Sequence, residues 1–198
     1  MALKFAVNNS LSAITSLPSG ISGGALNLIS TQTASASASL EFSLDDNYDS
    51  YIFKFINIHP QTDFVDFTFN LSTDNGSNYN VTKTSTFFNA YHSENDSFTG
   101  LNYNTSFDLA QSTNFQSIFN DVGNGADESV SGYLQLFNPS SDTFVKHYIV
   151  NTQGMYAENY SVNSYTAGYG NTQSPITNIK FQMDSGNLNG IIKMYGVS

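Results

Sequence analysis

The most constraining feature of this sequence is a period-two alternation of apolar and polar residues that recurs between turn-forming residues. In residues 64–71, every second residue from Val65 to Leu71 is apolar, and the residues between them are Asp, Thr and Asn. Successive side chains of a β-strand point to opposite faces of its sheet, so this pattern predicts a strand with one buried face. Similar segments recur along the chain without a sustained helical period. The sequence therefore predicts an all-β protein.

Composition supports the same fold class. The 198 residues include 28 Ser, 17 Thr and 24 Asn beside 16 Phe and 12 Tyr. Aromatic and β-branched residues favour strands, whereas Asn, Ser and Gly favour turns. We count nine or ten strand segments, which predicts a jelly-roll-like antiparallel β-sandwich.

Three local predictions follow from these segments. Residues 51–58 are largely apolar on both faces, which predicts a central strand covered on each side. The tight-turn sequence Asp74-Asn75-Gly76 predicts a hairpin between residues 64–71 and 79–88. A second turn at residues 184–187 predicts a final hairpin between residues 176–183 and 190–197.

The first 24 residues differ from the rest of the chain. They end in a segment with Pro18, Gly20, Gly23 and Gly24, a density of breakers that predicts an extended arm or linker. Residues 25–198 then form the sandwich domain. The apolar residues of the arm are expected to pack either on this domain or on a neighbouring subunit. They are Leu3, Phe5, Val7, Leu11, Ile14 and Leu17.

The charge of the chain disfavours two classes of partner. Its 16 acidic residues face only six basic ones, all of them lysines, and the formal net charge is −10. Nucleic-acid binding needs clustered Lys and Arg, and anionic membrane surfaces attract basic segments, so neither partner is expected. No stretch approaches 18 apolar residues, and residues 1–26 lack the apolar run of a signal peptide.

No catalytic motif, cofactor motif or metal site is expected, and we predict that the protein is not an enzyme. Residues 20–24 match G-x-S-x-G, but a nucleophile elbow needs a preceding strand, and Pro18 stands there instead. There is no cysteine, and the histidines are not spaced as ligand pairs. Asp45, Asn47 and Asp49 resemble the start of a calcium loop but lack its later Gly and Glu; a different calcium site remains an alternative. The histidines are His59, His92 and His147.

One group of residues suggests a binding surface. Tyr156, Tyr160, Tyr165 and Tyr169 lie within 14 residues of one another, among Ser, Asn and Gly. Tyrosines in this context stack on sugars or pack at protein interfaces. We keep both interpretations.

Four segments resemble structural proteins of the virions of tailed bacteriophages, in particular of marine cyanophages and related podoviruses. The similar turn usually has Gly-Gly where this chain has Asn75-Gly76, a difference that the turn accommodates. The segments are residues 25–42, residues 51–58, the strand–turn segment 72–79 and the ending Gly-Ile-Ile-Lys-Met-Tyr-Gly-Val at residues 190–197.

The resemblance implies a non-enzymatic virion component with a jelly-roll-like domain, often a homotrimer, and no catalytic residues carry over from it. We therefore expect a surface decoration, cement or appendage subunit that docks on other capsid or tail proteins through its arm. The alternative is a receptor- or carbohydrate-binding module of a tail fibre or head appendage, with a host surface glycan as partner.

Overall fold

The computed structural model describes residues 26–198, and every element of regular structure in that range is a β-strand. The predicted arm and the G-x-S-x-G match at residues 20–24 lie outside the described residues. Residues 26–198 contain twelve strands, rather than the nine or ten that the sequence predicts. They are β1 (Asn27–Ser37), β2 (Leu40–Ser43), β3 (Ser50–Pro60), β4 (Val65–Ser72), β5 (Lys83–Ser93), β6 (Thr99–Tyr103), β7 (Gln116–Val122), β8 (Val130–Phe137), β9 (Lys146–Tyr156), β10 (Tyr160–Gly170), β11 (Asn178–Met183) and β12 (Leu188–Val197).

The strands form two antiparallel layers. The larger layer has the order β1-β12-β3-β8-β9-β10-β5-β6, and the smaller has the order β2-β11-β4-β7. Within the described part of the chain, the two layers are joined by strand pairing at one position, the pair Val122–Tyr156 between β7 and β9. The layers otherwise face each other as a sandwich.

The strand order is that of a jelly roll. In an eight-stranded jelly roll, strands 1-8-3-6 form one sheet and strands 2-7-4-5 form the other, and the chain crosses between them. If β8, β9 and β10 count together as strand seven, β2 to β11 reproduce both orders. The fold is thus a jelly roll in which a three-stranded meander replaces one strand, and β12 and β1 extend the edge at β3.

Phenylalanines fill the space between the layers. Phe181 of the smaller layer lies at the centre, with its ring centroid 5.3 Å from those of both Phe53 and Phe55 in the larger layer. Phe42, Phe67 and Phe69 surround the same ring at 6.1 to 6.4 Å. All six side chains are almost completely buried. Aromatic packing in edge and tilted geometries therefore holds the two sheets together.

Both predicted hairpins are wrong. The turn at Asn75 and Gly76 forms, with φ angles of 57° and 81°. However, β4 pairs with β7 and β11, whereas β5 pairs with β10 and β6. Likewise, β11 pairs with β2 and β4, and β12 pairs with β1 and β3. A tight turn reverses the chain but does not determine which layer the next strand joins. After each of these two turns, the chain crosses to the opposite layer.

The prediction for residues 51–58 is half right. β3 is a central strand between β12 and β8, and its Tyr51, Phe53 and Phe55 are buried. Its other face is not covered, since Lys54 is exposed and Ile56 is 37% exposed. A strand with apolar residues on both faces can border solvent when the opposite layer covers only one of them.

Candidate functional site

The larger layer is wider than the smaller one, and this difference creates a cleft. The inner faces of β10, β5 and β6 extend past β7, the edge strand of the smaller layer. There, a cleft of about 290 Å³ opens between β7, the β5–β6 hairpin and the β9–β10 turn. This volume is at the lower end of the range for small-molecule sites. Its lining residues are Asn89, Tyr91, Phe98, Asn102, Asn104, Asn120, Tyr156, Glu158, Tyr160 and Val162.

The turn between β9 and β10 places two of the tyrosines in the cleft. The loop has three residues, and Asn159 adopts a left-handed conformation with φ 62° and donates its N–H to the Tyr156 carbonyl. This is a common hairpin geometry in which Asn tolerates the positive φ. Tyr156 and Tyr160 are directly paired across the two strands and so share one face. Their ring centroids lie 6.0 Å apart at 84°.

A third tyrosine continues this aromatic wall. The ring of Tyr91 on β5 lies 6.1 Å from that of Tyr160 at 71°. It lies across Gly100, its partner on β6, where an added Cβ would be 2.5 Å from the Tyr91 hydroxyl oxygen. Only glycine leaves the space that this ring occupies, so Gly100 helps to position the wall.

Asparagine amides lie beside these rings, with Asn89 on the same face of β5 as Tyr91 and Asn120 on β7 of the smaller layer. Asn89 Nδ2 donates to Asn120 Oδ1 at 3.3 Å, and Asn120 Nδ2 donates to Asp121 Oδ2 at 2.8 Å. Asn102 Nδ2 donates to the Tyr91 hydroxyl oxygen at 3.4 Å. Each amide offers both donors and an acceptor, and these weak mutual bonds leave part of that capacity for a ligand.

The two hairpin loops at the rim are tied together. The Glu94 N–H donates to the Asn159 carbonyl at 3.0 Å. Beside the main cleft, these loops enclose a smaller space of about 220 Å³ that shares Phe98, Glu158 and Tyr160 with it and adds Glu94. None of the described residues that line either space is a lysine. The combined surface is aromatic, amide-rich and negatively charged.

Ionisable groups near the cleft are perturbed by burial. Burial, together with nearby Asp121, raises the pKa of the Tyr156 hydroxyl to about 12, so it remains a neutral donor. Burial also raises the pKa of Asp66 to about 6, although its Oδ1 accepts the Asp121 N–H at 3.1 Å. Among the described residues, no three acidic or histidine side chains are placed to hold a metal ion.

The four tyrosines predicted as one patch do not lie together. Tyr156 and Tyr160 face the cleft, whereas Tyr165 and Tyr169 point to the outer face of the same sheet. Tyr165 stacks on Phe88 there, with centroids 5.1 Å apart at 10°, and Tyr169 lies 6.2 Å from the His147 ring. Because parity along β10 assigns side chains to faces, Tyr160 and Tyr165 must point in opposite directions.

The other candidate residues are dispersed. His59 Nδ1 contacts the Glu128 carbonyl at 2.7 Å, and His92 pairs with Asp96 at 3.0 Å on the surface. In the segment that resembles a calcium loop, Asp45 Oδ1 accepts the Asn47 N–H and its carboxylate also accepts the Tyr51 hydroxyl. That carboxylate is therefore used within its own turn.

Most residues of the cleft were not singled out by the sequence. Asn89 and Tyr91 follow the buried Phe87 at inward positions of β5. A polar residue at an inward position near the end of a strand is the sequence signal that could have indicated the cleft. The other lining residues come from β6, β7 and the loops. These segments lie close together only because the chain crosses between the two layers, and the sequence does not show these crossings.

In comparisons with protein-family models, with curated proteins and with solved structures, no match to this chain was found. Among the described residues there is also no helix of the length and apolarity that crossing a membrane requires. The fold and the cleft therefore carry the functional argument: an all-β sandwich with a concave, aromatic and amide-lined cleft at one edge.

Proposed function

We propose that this chain is a non-enzymatic, saccharide-binding module of a virion structural protein. The observation that carries the proposal is the cleft, which is lined both by the rings of Tyr91, Tyr156 and Tyr160 and by the amides of Asn89 and Asn120. A sugar ring has flat patches of C–H groups and a periphery of hydroxyls. Aromatic rings cover the former, and groups that both donate and accept hydrogen bonds satisfy the latter.

The charge of the cleft favours a neutral sugar. Glu158 lines the main space and Glu94 the adjoining one, with no lysine among the described lining residues. A sialic acid, a uronic acid or a sulfated sugar would bring a second negative charge against these carboxylates and against a chain of net charge −10. Like charges brought together in a binding site are costly and so act against such ligands. A carboxylate remains a good acceptor for the hydroxyls of a neutral hexose.

The test is binding of the purified chain to an array of neutral and acidic oligosaccharides, followed by titration calorimetry with a ligand that binds. Tyr160→Ala is expected to weaken binding about tenfold. Loss of about 60 Å² of apolar contact at about 25 cal/mol per Å² corresponds to about 1.5 kcal/mol. Tyr165→Ala is the matched control, because it removes a tyrosine of the same strand from the opposite face, and it should leave the affinity unchanged.

Three results would contradict the proposal. One is an array without any signal. The second is equal weakening by the two tyrosine variants, which would place the ligand elsewhere. The third is a preference for acidic sugars, which would refute the charge argument. Analysis of the bound sugar for cleavage products in the same samples tests whether the module only binds.

The virion setting is supported by the resemblance of four segments to tailed-phage structural proteins. In this setting the chain is a decoration, cement or appendage subunit, and residues 1–24 dock it on other capsid or tail proteins. Locating the chain in purified particles and counting its copies tests the setting. Hundreds of copies at lattice positions indicate a capsid role, whereas a few dozen or fewer at the tail indicate an appendage.

A further inference from the structure

The outer side of the larger layer carries a second surface that the saccharide proposal does not use. We define the outer apolar face as the outward side chains of β8, β9, β10, β5 and β6. Large apolar residues on it are well exposed, from 38% for Phe88 to 70% for Leu101. The others are Tyr133, Ile149, Tyr165 and Tyr103.

Strand register aligns several of these residues in one row. Tyr133 and Tyr165 are both paired with Asn151, Tyr165 is paired with Phe88, and Phe88 is paired with Tyr103. The Tyr165 and Phe88 rings are stacked nearly parallel. Cross-strand pairing of this kind holds side chains in place, so the row is ordered before any partner binds. A preorganised surface loses little side-chain entropy on association.

The outer apolar face is also uncharged, apart from two histidines near its ends. Among the described residues, no outward position of these five strands is Asp, Glu or Lys. The chain nevertheless has 16 acidic residues. Two of them border the face at its β5–β6 edge, where Asp96 pairs with His92 and Asp108 Oδ2 accepts the Tyr103 hydroxyl at 2.6 Å. The neighbouring half of the same side differs, because Lys54 and Lys193 are directly paired there across β3 and β12. Of the 13 large apolar residues that are exposed in the described part of the chain, six therefore lie on one contiguous part of one sheet.

The size of the outer apolar face suits a stable interface. Five strands at about 4.8 Å spacing span about 24 Å, and about nine residues at about 3.3 Å span about 30 Å, which gives about 700 Å². A standard protein interface buries about 800 Å² on each partner. That area includes polar outward side chains such as Asn151 and Asn163, and six large apolar side chains are exposed within it. Clusters of exposed apolar side chains mark interaction sites.

We propose that the outer apolar face packs against the same face of a second copy of this chain, related by a two-fold axis. A face without acidic side chains on its five strands is suited to self-association of a chain of net charge −10, because the acidic residues that border it, Asp96 and Asp108, lie at its β5–β6 edge and not at its centre. A partner with a basic surface would instead bind where carboxylates lie. A face packed on the same face of a second copy closes at two copies, unlike the trimer that the phage resemblance implies.

The test is sedimentation velocity of the full chain from 1 to 200 μM in 150 mM NaCl. The chain is expected to shift from 21.6 kDa towards twice that mass as concentration rises. Tyr165→Glu places two negative charges at the centre of the interface and is expected to weaken association at least tenfold. Ile149→Glu is a second variant on the same face. Phe98→Glu is the matched control, since Phe98 is 61% exposed at the cleft, and it should associate like the unmodified chain.

Circular dichroism establishes that each variant retains its strand content. A monomer throughout the concentration range would overturn the proposal. A dimer that survives both face variants would also overturn it, because the interface would then lie elsewhere. A trimer would overturn the two-fold arrangement. Sugar binding by the Tyr165→Glu monomer separates this proposal from that for the cleft, because the two surfaces share no residue.

Discussion

Lys83 provides the sharpest test of the physical description, because it is a completely buried lysine without a carboxylate partner in its hydrogen bonds. Its Nζ donates to Asn70 Oδ1 at 2.5 Å and to the Val81 carbonyl at 2.8 Å. Burial lowers the pKa of Lys83 to about 7. In the unfolded chain this pKa is about 10.4. The folded protein therefore releases the proton more than three pH units earlier than the unfolded chain.

The direction of the pH effect follows from proton counting. Below pH 7 both states carry the proton, and the folded state bears the full cost of burying the charge. Between pH 7 and about 10 the unfolded chain binds one more proton than the folded protein, so stability rises with pH. The slope approaches about 1.4 kcal/mol per pH unit, which gives about 2.5 kcal/mol between pH 7.5 and 9.5. Lys146 is also fully buried with a lowered pKa and contributes in the same direction.

The assay is urea unfolding followed by far-ultraviolet circular dichroism at pH 7.5, 8.5 and 9.5. Tyrosines with raised pKa values, such as Tyr148 and Tyr156, begin to oppose the effect near pH 9.5, where tyrosines of the unfolded chain start to ionise, so each variant is compared with the unmodified protein at the same pH. Lys83→Met keeps most of the side-chain volume without a charge and is expected to reduce the slope by about one proton. Lys54→Met, at an exposed lysine, should retain the slope of the unmodified protein. If Lys83→Met has an unchanged slope, or if unmodified stability falls over this range, the reasoning is refuted.

Two further predictions concern the surroundings of the cleft. The folded pKa of Asp66, about 6, exceeds its unfolded value of about 3.9, so stability is lost as pH rises from about 4 to 6. Asp66→Asn should thus stabilise the protein at pH 7.5 by about 1 to 2 kcal/mol in urea unfolding, with little gain at pH 4; equal stability at pH 7.5 would contradict the buried charge. Gly100→Ala should displace the Tyr91 side chain, whose hydroxyl oxygen lies 2.5 Å from the added Cβ, and weaken saccharide binding several-fold by calorimetry. Unchanged affinity would exclude Tyr91 from the contact surface.

The strands themselves were predictable because their signal is local. The alternation in residues 64–71 corresponds to β4, and the inward residues Val65, Phe67, Phe69 and Leu71 are buried as the pattern requires. The jelly-roll class followed from strand number and turn frequency. Strand partners were not predictable in the same way, because β4 and β5 are separated by a good hairpin turn and still belong to different layers. The turn specifies a reversal over four residues, whereas partner choice depends on contacts with strands far away in sequence.

The cleft shows the same limit at the level of single residues. Tyr160 and Tyr165 occur in one polar, tyrosine-rich segment, and composition alone treats them as equivalent. Once residues 160–170 form one strand, their odd separation assigns them to opposite faces. The inner face places Tyr160 in the cleft that Asn89 and Asn120 also line, whereas the outer face places Tyr165 against Phe88. Parity within one strand thus divides a single tyrosine cluster between two proposed surfaces. Substitutions at Tyr160 and Tyr165 should therefore affect saccharide binding and self-association separately.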